Sequence, residues 1–259
     1  MASDAPEDRI ETEAVSEPAP VAEPRGGELV HRHRRSTRIW HWLNALTVIV
    51  MLMSGMMILN AHPRLYWGEY GANPDRAWLE LGTRPFPGWA TIPTSYDLAG
   101  ARAWHFLFAW LLVVPGLAYW IWSFANRHIQ RDLAPKRGEL SPRHIWHDIK
   151  NHARLRFPTG AAALDYNILQ KASYLGVLFV LLPLIVLTGL TLSPGMDSAW
   201  PWLVDLFGGR QSARSLHFIA AALIAGFILV HLAMVVLAGP VNEIRSMITG
   251  RYRLPKDKP

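Results

Sequence analysis

The segment RSLHFIAAALIAGFILVH, residues 214–231, holds a histidine near each end and, after its opening arginine, no charged side chain. The charge-free run extends from Ser215 to Asn242, longer than the about 20 predominantly apolar residues that cross a bilayer. Lipid gives backbone groups no hydrogen-bond partner, so such a run must be helical. His217 and His231 are 14 residues apart, just under four turns. They therefore project from nearly one face, separated by roughly 21 Å along the axis. One stands toward each side of the membrane.

Three further stretches have the same character: Ile39–Leu59, Ala103–Phe124 and Ala172–Met196. The fold class is therefore an all-α membrane protein, a four-transmembrane-helix bundle. The whole chain agrees, since 51% of its 259 residues are hydrophobic and 18% charged, too apolar for a soluble domain of this size. Pro115 and Pro183 fall inside spans, where neighbouring helices can re-satisfy the carbonyls they free. Trp40, Trp42, Trp104, Trp120, Trp122, Trp200 and Trp202 lie near span ends and suit interfacial belts.

Charge distributes unevenly around these spans. Residues 1–28 carry eight acids against Arg9 and Arg25, with four prolines, a composition that cannot bury a core. Residues 1–30 are thus expected to be a disordered acidic tail, 31–250 the membrane domain and 251–259 a basic C-terminal tail. The acidic start has no basic, apolar leader, so the first span is expected to serve as its own insertion signal. Arg32, Arg34, Arg35 and Arg38 precede that span, nine bases against four acids fill 125–171, and Arg245, Arg251, Arg253, Lys256 and Lys258 follow the fourth. The 60–102 and 197–214 loops are balanced. The positive-inside rule then places both termini in the cytoplasm of a bacterial inner membrane and the balanced loops outside. No nucleic-acid partner is expected.

Four of the eleven histidines lie in charge-free spans: His41, His105, His217 and His231. Ionisable rings at that depth point inward and have partners. Equal depth pairs His41 with His231 on the inner side and His105 with His217 on the outer side, the third span supplying no histidine. Two planar cofactors stacked across the bilayer fit this spacing. With no cysteine, thiolate metal sites, iron–sulfur clusters and covalent haem attachment are excluded, so any cofactor must take nitrogen or oxygen ligands and any haem must be held non-covalently. Arg38, Arg102 and Arg214 each stand three residues before one of these histidines, on the same helical side, where guanidinium groups could meet propionates; snorkelling interface arginines are the plain alternative. Ser54-Gly55 and Thr188-Gly189 repeat a small-polar plus glycine pattern, giving room for a flat ring system or for close helix packing. A set of core histidines, a zinc site or a proton relay are the competing readings. His31, His33, His128, His144, His147 and His152 are read as solvated cytoplasmic side chains, and His62 as structural.

Arg38-Ile-Trp-His41-Trp-Leu-Asn44, Ser54-Gly55, Arg102-Ala-Trp-His105, Leu187-Thr-Gly189-Leu and the His217/His231 pair resemble the bacterial cytochrome b561 and nickel-iron hydrogenase b-type cytochrome family. Within it the chain is most similar to thiosulfate-reductase-type cytochrome b subunits, relatives of the formate dehydrogenase gamma subunit. The resemblance covers roughly residues 30–250. It implies two haems b with His41, His105, His217 and His231 as axial ligands, and electron flow between a periplasmic redox partner, often a molybdopterin oxidoreductase, and membrane quinone.

Two saturated axial positions would leave no open site on the metal, so a one-electron relay is expected rather than catalysis at iron. Asn44, His144, His147 and Arg38 are cytoplasmic-side candidates for a quinone site. A self-sufficient enzyme that oxidises a small external donor such as superoxide, and a metal or proton transporter, are the alternatives. The oligomeric state is open, a homo-oligomer included.

Overall fold

The computed structural model describes residues 25–256 apart from His128, Arg137 and Phe157, and the backbone alone of Arg131, Asp132, Ala161 and Ala162. The expectations for residues 1–24, for the last three residues and for His128 lie outside the described residues. Four helical segments are long and apolar enough to cross a membrane: Arg35–Ala61, Leu98–Ala125, Ile168–Thr191 and Arg210–Ala238. The first is α1 and the second α2. The third is two helices, α4 (Ile168–Gly176) and α5 (Leu182–Thr191), joined by a wider π-turn over Val177–Leu181. That turn sits just before Pro183, whose ring would otherwise strike the carbonyl four residues back. The fourth is α8. α1 packs on α2 and α5 on α8, and side chains such as Ile121 and Leu229, about 70% exposed, form the lipid-facing surface of a membrane protein.

The helices overrun the charge-free stretches at six of their eight ends, and at all four N-terminal ends they take in charged residues, because a helix continues into such residues once it leaves the bilayer. At two ends they stop short. The third span ends at Thr191 rather than Met196, since Pro194 opens a separate short helix, α6 (Pro194–Ala199), and a residue before proline is driven out of the helical region. The fourth ends at Ala238, where Gly239 takes a φ of 110° and Pro240 starts α9 (Pro240–Thr249). α7 (Pro201–Leu206) completes one connection and α3 (Pro142–Ala153) lies in another, begun by Ser141, whose hydroxyl accepts from the His144 amide.

The two ends of the chain meet. β1 (Leu29–His31) pairs antiparallel with β4 (Arg251–Arg253), and Tyr252 and Leu254 are buried against Ala163, Val30 and Leu164. Arg32 lies 4.4 Å over the Tyr252 ring and 3.4 Å from Glu243. Residues 29–30 of the acidic stretch and 251–253 of the basic one are thus paired strands, each supplying the hydrogen bonds the other's edge lacks. Both described ends therefore lie on one side of the bundle. On the other side, β2 (Arg64–Leu65) pairs with β3 (Leu79–Glu80), and this loop is fastened to the start of α8. The Gly68 carbonyl accepts from the Gln211 and Ser212 amides, and Ser212 Oγ accepts from the Gly68 amide at 2.7 Å. A Cβ on Gly209 would stand 2.6 Å from the Gly68 backbone, so the clasp requires glycine there.

Candidate functional site

α8 carries two of the four span histidines, and each meets a ring from another helix. His105 on α2 faces His217, ring centres 6.2 Å apart and planes inclined by 60°. His41 on α1 faces His231 at 6.3 Å and 59°. Two facing pairs are thus stacked along α8, the first at the end that carries the β2–β3 loop and the second at the end where the termini meet. They are called outer and inner below.

The spacing has a chemical meaning. Imidazole nitrogens bind metals at about 2 Å, as zinc shows, so one ion held between two such rings sets their centres about 6 Å apart. Both pairs have that separation. Among the described residues no three histidine or acidic side chains gather to hold a metal ion. Each site thus offers two facing imidazoles, a donor set that fits a haem iron.

Each outer imidazole is seated by a small-polar residue and its following glycine. Ser54 Oγ lies 3.0 Å from His105 Nδ1, and Thr188 Oγ1 lies 3.1 Å from His217 Nδ1. A Cβ on Gly55 would stand 3.6 Å from His105 Cε1 and one on Gly189 3.3 Å from His217 Cε1. The two glycines, read from the sequence as room for a flat ring system, border the imidazoles themselves. The third span, which has no histidine, still reaches the outer pair through Thr188 and Gly189.

The inner pair is bordered by aromatic rings. Phe227 stacks on His231 with centres 6.0 Å apart and planes 17° from parallel, and Trp42 meets His41 edge-on at 5.3 Å. Trp42 also donates its indole N–H to the Met247 carbonyl, tying α1 to α9. Nearby His33 is half-buried rather than solvated: burial, and then the charges of Arg32, His41, His31 and Arg38, push its pKa down to about 4.

The three arginines have different environments. Arg214 donates from its terminal nitrogens to the carbonyls of His62 and Arg64, so the loop engages two of its five N–H donors. Arg102 is exposed, 5.9 Å over Phe106. Arg38 keeps a buried Nε with no partner, and so does Arg245 on α9. Buried donors without acceptors are rare, and two on the inner side fit an anionic group there. Arg245 was legible in sequence only as an inside charge. Of the other polar candidates, Asn44 donates to the Trp40 carbonyl, while His144 and His147 flank Asp148 on α3 at 3.7 and 3.8 Å. His62, just beyond α1, stacks on Tyr66, and burial together with Arg214 and Arg64 lowers its pKa.

Comparison with known proteins adds an independent line. The family model described as prokaryotic cytochrome b561 matches residues 32–250. The chain is 31% identical to a putative protein-methionine-sulfoxide reductase subunit YedZ1 of Azospira oryzae, over 81% of this chain and 92% of the relative. It is 22% identical to a probable Ni/Fe-hydrogenase B-type cytochrome subunit of Cupriavidus necator, over 96% and 97%, and 26% identical to a putative cytochrome YdhU of Escherichia coli, over 88% and 76%. No solved structure matches the chain.

Proposed function

Since the chain belongs to the prokaryotic cytochrome b561 family and is a membrane b-type cytochrome of electron transfer, we propose that it binds two haems b and passes electrons between an external redox subunit and membrane quinone. The observation that carries the reading is the pair of matched histidine gaps, 6.2 and 6.3 Å, at two depths along α8. His105 and His217 would hold the outer haem, His41 and His231 the inner one. Haem supplies a one-electron ferric/ferrous couple when bound. The chain supplies the rest: four ligating nitrogens, lipid-facing walls that exclude water, and Arg38 as an inner-side donor for a propionate. With two histidines to hold each haem, no position on the iron would be left for oxygen, and the reading is of a relay rather than an oxygen-activating enzyme.

Relatives named as subunits of a protein-methionine-sulfoxide reductase and of hydrogenases support a partnered role. We assign the β2–β3 side to the periplasm of the bacterial inner membrane, facing a molybdopterin-type oxidoreductase, and both termini to the cytoplasm, from the arginines that flank the inner ends. Quinone is the membrane-side substrate. The test is a reduced-minus-oxidised visible spectrum with haem quantitation on the purified chain. Two low-spin haems b per polypeptide are expected; one haem removes half of the assignment, and none removes all of it.

A further inference from the structure

We propose that Ser54 and Thr188 are positioning residues of the outer histidine pair, each accepting the Nδ1–H of one imidazole and so directing its Nε2 lone pair at the iron. The inference rests on the ligation reading above and extends it to residues of the first and third spans.

A hydroxyl has one proton to give and two lone pairs to receive. Ser54 Oγ stands 3.1 Å from the Met51 carbonyl and Thr188 Oγ1 2.6 Å from the Leu184 carbonyl. A carbonyl can only accept, so each hydroxyl proton is committed to its own helix. What each oxygen turns to the histidine is a lone pair. At 3.0 and 3.1 Å, and with the Met51 and Ile185 carbonyls also within reach of the two rings, the Nδ1 atoms are placed to donate. Ser54 and Thr188 have no solvent exposure, so water does not compete for either bond.

A neutral imidazole with its proton on Nδ1 has its free lone pair on Nε2. The hydroxyls thus select the ligating tautomer and fix ring rotation, while Gly55 and Gly189 leave the space the rings occupy. Among the described residues no serine or threonine hydroxyl stands at Nδ1 of His41 or His231, whose neighbours are Trp42 and Phe227. An acceptor on the distal N–H makes the ligating nitrogen more basic, which favours ferric over ferrous iron. Ser54 and Thr188 therefore lower the outer couple and leave the inner one untouched.

The experiment is a redox titration of the holoprotein, followed by visible and EPR spectra, for Ser54→Ala and Thr188→Val beside Ser54→Thr and Thr188→Ser. His217→Ala identifies the outer signal as the one it loses. Ala and Val variants are expected to raise the outer midpoint potential without moving the inner one, and the Thr and Ser variants to titrate like the parent. Should Thr188→Val shed the outer haem, retention by Thr188→Ser supports the proposal and loss from both overturns it. It is also overturned by an unmoved outer potential at full haem content, by an equal shift of both centres, or by conservative variants that shift as far as the deletions. A parent spectrum taken first separates the two levels: absence of an outer low-spin haem defeats the ligation reading and this inference with it, whereas an intact parent with insensitive variants defeats the inference alone.

Discussion

The outer and inner ends of α8 hold similar histidine pairs by different means. At the outer end the rings receive hydroxyls from the spans themselves, Ser54 and Thr188, and the loop above is clasped to α8 through Ser212 and Arg214. At the inner end the rings touch Phe227 and Trp42, Trp42 ties α1 to α9, the chain ends pair as β1 and β4, and a Lys171–Glu139 ion pair at 2.8 Å stands at the start of α4. A buried hydroxyl at a fixed helical position dictates a ring's tautomer and rotation, whereas an aromatic face restrains only its plane. The outer pair is therefore the more rigidly specified, and the inner pair depends more on parts of the chain distant in sequence.

The largest effects divide the two ends outright. His217→Ala is expected to remove the outer haem and keep the inner one, and His231→Ala the reverse, read as haem per polypeptide and as the surviving signal in a redox titration; joint loss from either variant would erase the distinction. Next in size is Glu139→Gln. Burial disfavours the Glu139 carboxylate, yet Lys171 and the Lys136 amide outweigh it and hold its pKa below the usual range. Lys171 is only 5% exposed, and stripping a buried ion of its partner costs about 3 kcal/mol. A lowered carboxylate pKa means that this stabilisation is complete above the ordinary carboxylate range and disappears as pH falls through the lowered value. Thermal unfolding in detergent should show the parent losing stability in acid and the Gln variant already low at neutral pH, with a flatter acid dependence.

A middle-sized effect compares the two glycines. Alanine in a helix gains about 1 kcal/mol over glycine, and at Gly55 the added methyl meets His105 at an ordinary 3.6 Å. At Gly189 it meets His217 at 3.3 Å, where the ring must yield while bonded to Thr188. Gly55→Ala should leave outer haem content intact, and Gly189→Ala should lower it or weaken its retention under mild detergent. Equal behaviour would show that the Thr188 bond does not hold His217 in place.

The spans were readable in sequence because charge-free length is almost sufficient to specify a membrane helix, and histidine depth followed from counting along helices of alternating direction. Where the ends differ, the cause was present in the residues: Pro194 and Gly239-Pro240 halt helices that an apolar run alone would extend. The Ser-Gly and Thr-Gly repeat was visible too, but not its target, because which imidazole it meets depends on the packing of α1 against α2 and of α5 against α8. Arg214 shows a related limit. Its one-turn offset from His217 is as the sequence says, but the carbonyls that claim it belong to a loop some 150 residues earlier, and no local pattern announces that approach.

The smallest effect tests whether the inner end really relies on aromatic contact. Phe227 lies 17° from parallel with His231, and such a pair adds about 0.5–1.5 kcal/mol beyond its buried area. Phe227→Leu keeps an apolar side chain of similar bulk while deleting the flat face, so the bundle should fold and bind both haems. His231 then gains rotational freedom about its ring axis, and no hydroxyl among the described residues stands by to restrain it. The inner EPR signal should broaden or shift while the outer one, held by Ser54 and Thr188, stays as in the parent. Were the outer signal to change and the inner to remain sharp, restraint at the inner end would have to come from the paired termini and α9, and the division between the two ends would be one of chain connectivity rather than of contact chemistry.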